Sequence, residues 1–407
     1  MTPAVRIMHG DCRELIATLA DESVSAIVTD PPYELGFMGK KWDATGIAYD
    51  VQLWTQCLRV LKPGGHLLAF GGTRTYHRMA SAIEDAGFEI RDSIHWIYGS
   101  GFPKSHDVSK AIDKAAGAER EVVGVNPRHL GMSDSAKRAL GGLAHGVSGG
   151  YVGDPSQITA PATDVARKWE GWGTALKPAH EPIVMARKPL GGTVAANVLQ
   201  HGTGALNIDG ARVKMSAEDF RKMAAGVENI RKRGGVVSGT VPFNASDLSG
   251  ANPASEKGRW PANVILDGSI DAEWVRFFYC AKPSRAERNA GLDALPEVTK
   301  GSNFGNDGAR PHTKSGYTYK ATTRNTHPTV KPLALMRYLV RLVTPPGGIV
   351  LEPFAGSGTT LAAAILEGFD AIGCELTADY LPIIEGRVAW AQAERAKANE
   401  NLFGDAA

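Results

Sequence analysis

The sequence predicts an α/β protein: a mixed, mostly parallel sheet with helices on both faces, interrupted by an inserted region. Three observations carry this. Strand-like and helix-like runs alternate through residues 5–98. The same alternation resumes after Pro332. Within the resumed stretch, "LEPFAGSGTTLAAAILEG" takes an apolar strand through a glycine-rich turn straight into a helix.

Taken in order, "VRIMHG" reads as a short strand and "CRELIATLA" as an amphipathic helix. "VSAIVTD" is a strand and "YDVQLWTQCLRVL" a helix, and the turn Lys62-Pro63-Gly64-Gly65 leads into the strand "GHLLAF". "RTYHRMASAIEDAG" is a helix and "FEIRDSIHWIY" a strand. From about Gly99 to Gly173 the pattern gives way to Gly, Ser, Asp and Ala-rich chain such as "LGGLAHGVSGGYVGDPS", which predicts a lid or a mobile loop. "EPIVMARKP" restores a strand, and 190–320 carries many turn formers and little periodicity. "PLALMRYLVRLVT", "GIVLEPF", "GTTLAAAILEG" and "DAIGCEL" then read as helix, strand, helix and strand. The expected organisation is the N-terminal half of an α/β core over 1–103, an irregular insertion over 104–175 and a core strand within 176–189. A basic region follows over 190–325, then the C-terminal half of the core over 326–390 and a tail over 391–407.

Charge is unevenly spread. Residues 187–337 carry 22 Lys+Arg against 13 Asp+Glu, whereas 1–103 carry 9 against 12 and 338–407 carry 4 against 9. A basic middle between acidic ends suits a polyanion, although a solvated surface explains the same numbers. No apolar run is long enough to span a bilayer, and the start "MTPAVRIMHGDC" lacks a signal-peptide core, so a cytoplasmic, non-membrane protein is expected. Cys12, Cys57, Cys280 and Cys374 form no CxxC pair, which argues against a zinc site or a disulfide framework. None of the histidines shows metal-ligand spacing, so no metal is expected.

The turn Phe354-Ala355-Gly356-Ser357-Gly358 lets the backbone approach a ligand, and the helix beyond it offers free N–H groups. About twenty residues on, "IGCEL" ends a strand on Glu375, the position from which a carboxylate accepts hydrogen bonds from ribose hydroxyls. A phosphate-cradling loop needs Lys after its last Gly, but Thr359 and Thr360 stand there. A dinucleotide fingerprint needs a third Gly where Leu361 stands. An adenosine ligand without a pyrophosphate fits best, and that points to S-adenosyl-L-methionine.

"VSAIVTDPPYELGF" raises the complementary question of why an apolar strand stops on Asp30-Pro31-Pro32-Tyr33. Ligands of open α/β sheets bind beyond the carboxyl ends of the strands, and Asp30 ends one. The prolines remove N–H donors and leave their carbonyls as acceptors. An exocyclic amino group has two N–H bonds, which the Asp30 carboxylate and the Pro31 carbonyl can accept, while Tyr33 can stack on an extruded base. On its own, "DPP" is also a common turn with a capping Asp.

Together, "TDPPYELGF", "PFAGSGTT" and "HPTVKP" resemble the β-class amino-group DNA methyltransferases, N6-adenine or N4-cytosine, of phage or prophage type. "KPAHEPIVMARKP" and "FFYCAKPSRAERNAG" also resemble segments of such members. The resemblance covers 5–103, 176–189 and 326–390, in the permuted order with the catalytic motif before the cofactor loop. It implies the Rossmann-like S-adenosylmethionine-dependent methyltransferase fold with an inserted target-recognition region. The catalytic residues it implies are Asp30, Pro31, Pro32 and Tyr33. Around the cofactor it implies Asp11 at the adenine with Cys12 beside it, Asp30, His327, Thr329 and Lys331, the last near the cofactor carboxylate. Pro353, Phe354, Ala355, Gly356, Ser357, Gly358, Thr359, Thr360, Glu375 and Leu376 complete that site. Glu352 stands where Asp is usual before "PF".

The implied reaction is direct methyl transfer to the N6 of a flipped-out adenine in double-stranded DNA, without a covalent intermediate. Asp at the head of the tetrapeptide leans toward adenine, and N4-cytosine is the alternative. Methylation of RNA or of a protein amide, more typical of an Asn-headed motif, and a non-catalytic DNA-binding regulator are the rivals from other classes. C5-cytosine chemistry needs a Cys preceded by Pro, and none of the four is. Arg231, Lys232, Arg233, Lys282, Arg285 and Arg288 are candidate phosphate contacts, each equally compatible with a solvated face. Subunits of this class often pair, so a homodimer is a further expectation.

Overall fold

The computed structural model describes residues 2–36, 41–99, 105–125, 157–213, 221, 258–266, 280, 282–299 and 322–404. Strands β1 (Val5–His9), β2 (Val24–Thr29), β3 (Leu61–Phe70), β4 (Glu89–Ile97), β5 (Val122–Val125), β6 (Gln157–Thr159), β7 (His180–Arg187), β8 (Val264–Leu266), β9 (Val298–Thr299), β10 (Thr322–Thr323), β11 (Ile349–Glu352) and β12 (Asp370–Glu375) follow in chain order. The helices are α1 (Cys12–Ala17), α2 (Val51–Val60), α3 (Tyr76–Asp85), α4 (Val108–Ala115), α5 (Asp164–Lys168), α6 (Val194–His201), α7 (Arg285–Asn289), α8 (Leu333–Val343), α9 (Thr359–Glu367) and α10 (Leu381–Gly404). Eight of the described strands form one sheet in the order β1-β12-β11-β2-β3-β7-β4-β8.

All of its neighbours run parallel except β7, which is antiparallel to both β3 and β4. The expected mixed, mostly parallel sheet is therefore present. The reversal of β7 matters for the site. It brings the first residues of β7 to the same rim as the last residues of β1, β2, β11 and β12.

Side-chain alternation gives the sheet two buried faces. Val28, Leu68, Phe70, Ile94 and Val350 pack with α8, α9 and α10 on one side. Ile27, Leu67, Ala69, Leu351 and Cys374 pack with α1, α2 and α3 on the other. All six residues of β2 are buried, as a strand covered on both faces requires. Side-chain caps set helix starts: Asp11 accepts from Arg13 N at 2.9 Å and Asp50 from Gln52 N at 2.9 Å.

Three expectations change. Lys62-Pro63-Gly64-Gly65 is an irregularity inside β3, not a turn before it, since β2 pairs through Val24 with Leu61 and then through Ala26 with His66. Gly64 (φ +75°) makes the kink possible, and a Cβ there would lie 2.4 Å from the buried Asn197 Nδ2. The described part of 104–175 is not irregular. It holds α4, the antiparallel pair β5–β6 and α5, tied together by Asp113, which is 1% exposed. Asp113 accepts from Thr163 N (3.0 Å), Thr163 Oγ1 (2.8 Å), Ala162 N (2.9 Å) and Arg120 Nη1 (2.7 Å). Finally, two described elements within 190–325 join the core: α6 packs on β3, and β8 extends the sheet beside β4.

Candidate active site

The rim of the sheet opens into a cavity of about 720 Å³. Strand β2 delivers Asp30, and Pro31 and Pro32 end the ladder because neither carries an N–H. The Asp30 side chain is 21% exposed and lines the cavity, yet sits deep enough that burial raises its pKa, an effect the Lys331 ammonium only partly offsets.

Lys331 Nζ lies 2.8 Å from Asp30 Oδ1, 3.0 Å from Glu181 Oε2 and 3.0 Å from the Tyr33 hydroxyl. The Tyr33 hydroxyl in turn donates to Glu181 Oε2 at 2.9 Å. Burial alone would lower the Lys331 pKa, but the two carboxylates outweigh it and raise it. Burial pushes Glu181 up, while the charge and hydrogen bond of Lys331 and the hydrogen bond of Tyr33 bring it below its ordinary value. The cluster thus holds two carboxylates around one ammonium, with the Tyr33 ring pinned by its hydroxyl at the cavity wall.

Next to β2, β11 ends on Glu352, which is 2% exposed. It accepts from Thr29 Oγ1 at 2.5 Å, Phe354 N at 3.0 Å and Thr360 Oγ1 at 2.6 Å, so it ties the end of β2 to the start of α9. Burial raises its pKa to about 8 in spite of these donors. Beyond it the turn Pro353–Gly358 curls along the cavity. Gly356 (φ +53°) is required there, because a Cβ would come within 3.0 Å of His327 Nε2. Gly358 (φ +73°) does not line the cavity and packs instead against Ile384 of α10. The buried Thr359 and Thr360 open α9.

Glu375 ends β12. Its two oxygens accept from Gly356 N and Thr377 N, each at 2.8 Å. Burial raises its pKa, and the two backbone donors partly offset this. Leu376 follows, exposed and lining the cavity. At the end of β1, the hydrogen bond from the Arg13 side chain lowers the Asp11 pKa, with an Nη2–Oδ2 distance of 2.6 Å. Cys12 behind it is buried, which lifts its thiol to about 12 and leaves it inert as a nucleophile at neutral pH.

His327 donates through Nδ1–H to Thr329 O and meets Tyr380 edge-on, with ring centroids 4.6 Å apart. Burial lowers its pKa to about 4, so the ring is neutral at pH 7. The structure therefore gathers Asp11, Cys12, Asp30–Tyr33, His327, Thr329, Lys331, Pro353–Ser357, Thr359, Thr360, Glu375 and Leu376 around one cavity.

The six basic candidates divide. Arg231, Lys232 and Arg233 lie outside the described residues. Arg285 donates to Thr322 O at 2.5 Å and Thr322 Oγ1 at 2.8 Å, away from the cavity lining. Lys282 and Arg288 line the cavity, and Lys282 Nζ stands 3.8 Å from the centre of the Tyr98 ring. Sequence reading missed Glu181, Trp96 and Tyr98. Trp96 and Tyr98 lie at the end of β4 with ring centroids 5.1 Å apart, and both line the cavity. The only signal was position, "HWIY" and "HEP" being strand termini of unknown direction. Among the described residues no cluster of His, Cys, Asp and Glu is arranged for a metal, and no helix is long and apolar enough to cross a membrane.

An open α/β sheet whose strand-end acids share a cavity with a glycine-walled turn is of the class that binds nucleotide-like cofactors beyond its strand ends. Residues 24–386 match the family model described as DNA methylase, the N6/N4 methyltransferases, and the chain belongs to that family. The family's methyl donor is S-adenosyl-L-methionine. The chain is 31% identical over 137 residues to type II methyltransferase M.ScaI of Streptomyces caespitosus, 34% of this chain and 44% of the relative. It is 49% identical over 55 residues to the DNA adenine methyltransferase YhdJ of Escherichia coli, 14% of this chain and 19% of the relative. The solved structure of the cytosine-N4-specific PvuII DNA methyltransferase aligns with 97% of this chain and 95% of its own, at 12% identity and TM-score 0.44. The chain thus spans less than half the length of these two curated relatives.

Proposed function

We propose that the protein transfers a methyl group from S-adenosyl-L-methionine to the exocyclic N6 of adenine in double-stranded DNA. The observation that carries this is the placement of Asp30, deep in the cavity whose other wall is the Gly356 turn and Glu375. The residues suit the cofactor. Gly356 leaves room for close approach, the Glu375 carboxylate has lone pairs for ribose hydroxyls, and Asp11 stands at the neighbouring strand end.

When bound, the cofactor supplies an electrophilic sulfonium methyl. The chain does the rest by holding the amine. An Asp30 oxygen accepts one amino N–H and the Pro31 carbonyl, with no ladder to serve, accepts the other. The nitrogen lone pair is thereby directed at the methyl carbon. Asp30 would stabilise the positive charge that develops on the amino nitrogen as it takes the methyl from sulfur, the C–S bond breaking to leave a neutral thioether, and one amino proton would then pass by way of Asp30 to solvent. Alignment of two bound reactants is worth at most roughly 7–11 kcal/mol. Lys331 opposes the desolvation that raises the Asp30 pKa and, with Glu181, fixes the Tyr33 ring as a stacking surface.

The Asp at the head of the tetrapeptide, and the adenine named for YhdJ, favour adenine. Long-read modification calling on DNA from cells expressing the protein, with Asp30→Ala as control, tests this. N6-methyladenine in one sequence context, absent from the control, is expected. N4-methylcytosine would replace the base assignment alone, and unmodified DNA from both would overturn the activity.

A further inference from the structure

Lys331, the cation that the family resemblance assigns to the cofactor's carboxylate, is already surrounded by the chain's own acids. An ammonium donates three hydrogen bonds. Asp30 and Glu181 stand 2.8 and 3.0 Å from its nitrogen and the Tyr33 hydroxyl 3.0 Å, and the two carboxylates already outweigh its single charge. A carboxylate entering the same cavity therefore needs another cation.

Arg288 is in the reverse condition. It sits on α7, lines the cavity and is partly buried. Desolvation lowers its pKa with no carboxylate to offset it, and its guanidinium has no ion-pair partner among the described residues. Its neighbour Glu287 is committed to Leu333 N at 2.6 Å. The backbone around Arg288 is fixed, because Asn325 Nδ2 donates to Arg288 O at 2.8 Å while Asn325 Oδ1 accepts from His327 N at 3.1 Å. His327 is the residue against which Gly356 turns, so Arg288 is stitched to the glycine turn. A second guanidinium, the fully buried Arg387, donates to Ser357 O (3.2 Å) and Thr359 Oγ1 (3.0 Å) from behind that turn. Burial lowers the pKa of Arg387, the Glu287 carboxylate opposes this, and the positive charge of Arg288 adds to the lowering. Two guanidiniums share this desolvated corner with the single carboxylate of Glu287, so one positive charge is left for an anion from outside the chain.

We propose that Arg288 is the counter-ion of the cofactor's methionine carboxylate, and that Lys331 belongs to the catalytic cluster alone. The inference rests on S-adenosylmethionine being the cofactor of this cavity. The source of the anion is the carboxylate because Arg288 is joined to the glycine turn and His327. A phosphate of the extruded nucleotide is the rival source.

Calorimetric titration of the full chain with S-adenosylhomocysteine and with 5′-methylthioadenosine separates the possibilities. The second ligand keeps adenine, ribose and sulfur but lacks the amino-acid arm. Arg288→Met is expected to weaken S-adenosylhomocysteine binding at least about tenfold while leaving methylthioadenosine within about twofold, with Arg288→Lys intermediate. Retained methylthioadenosine binding also reports a folded site. Equal weakening of both ligands would overturn the assignment. So would unchanged binding of both together with a duplex-DNA salt slope reduced by about one, which would give Arg288 to a phosphate. Wild-type protein that binds neither ligand would instead sink the cofactor reading beneath it.

Discussion

Asp30 and Glu375 end two parallel strands of one sheet, separated only by β11, and the chain treats them differently. Glu375 is held by two backbone N–H groups, whose positions the glycine turn fixes. Asp30 is held by a side-chain ammonium shared with a second carboxylate. Backbone donors give a rigid acceptor, suited to a ligand's neutral hydroxyls. A shared ammonium opposes the desolvation of a buried carboxylate and favours its charged form, which suits a nitrogen that becomes positive in the reaction. Between them Glu352, donated to by two hydroxyls and an N–H and facing no cation within ion-pair distance among the described residues, has its pKa raised to about 8 and serves as a link between strands. Three strand-end acids, one rim, three partner sets: the partners decide the job.

The sharpest break in that comparison is Lys331→Met. It leaves Asp30 and Glu181 facing each other without a cation, so the methylation rate should fall roughly 10³-fold. Stability should fall by about 3–5 kcal/mol, read by denaturant unfolding. An equally active and stable variant would remove Lys331 from the account.

Glu375→Ala should act on the other side. Cofactor affinity is expected to drop about tenfold to a hundredfold in titration, while the rate at saturating cofactor stays within about threefold. A loss confined to the saturated rate would reverse the assignment of the two acids.

The third effect is on stability alone and is spread over several pH units. The folded pKa of Glu352 lies above that of the unfolded chain, so its contribution to stability is fully present below the ordinary carboxylate value of about 4.5 and is lost as pH rises through about 8. In that window the wild type should lose up to about 1.4 kcal/mol per pH unit from this group. Glu352→Gln should show a flatter profile by thermal unfolding across the same range. Parallel profiles would mean that Glu352 is ionised throughout.

Much of the fold was legible because the core strands are short apolar runs between amphipathic helices. The predicted ends fell close to β1, β2, α8, β11, α9 and β12. The strand ends carrying Asp30 and Glu375 were legible for the same reason, since a run that stops on an acid shows itself. Glu181 was not. Its role depends on β7 running backwards between β3 and β4, and direction leaves no mark on "HEPIVMAR". Lys331 was found through its motif but not its partners, because a long side chain reaches across the rim to groups 298 positions away in sequence. The described part of the insertion was underestimated because its short elements are joined by Asp113, a single buried acid with four donors, and a lone acid leaves no pattern in sequence.

The central claim, that Asp30 acts on the target amine and not on the cofactor, is tested most directly by single-turnover methylation and cofactor titration on the same preparation of Asp30→Ala. The account predicts a transfer rate lowered by about 10³-fold or more, with the S-adenosylhomocysteine dissociation constant within about threefold of wild type. A transfer rate within tenfold of wild type, or cofactor binding lost in proportion to the rate, would contradict it.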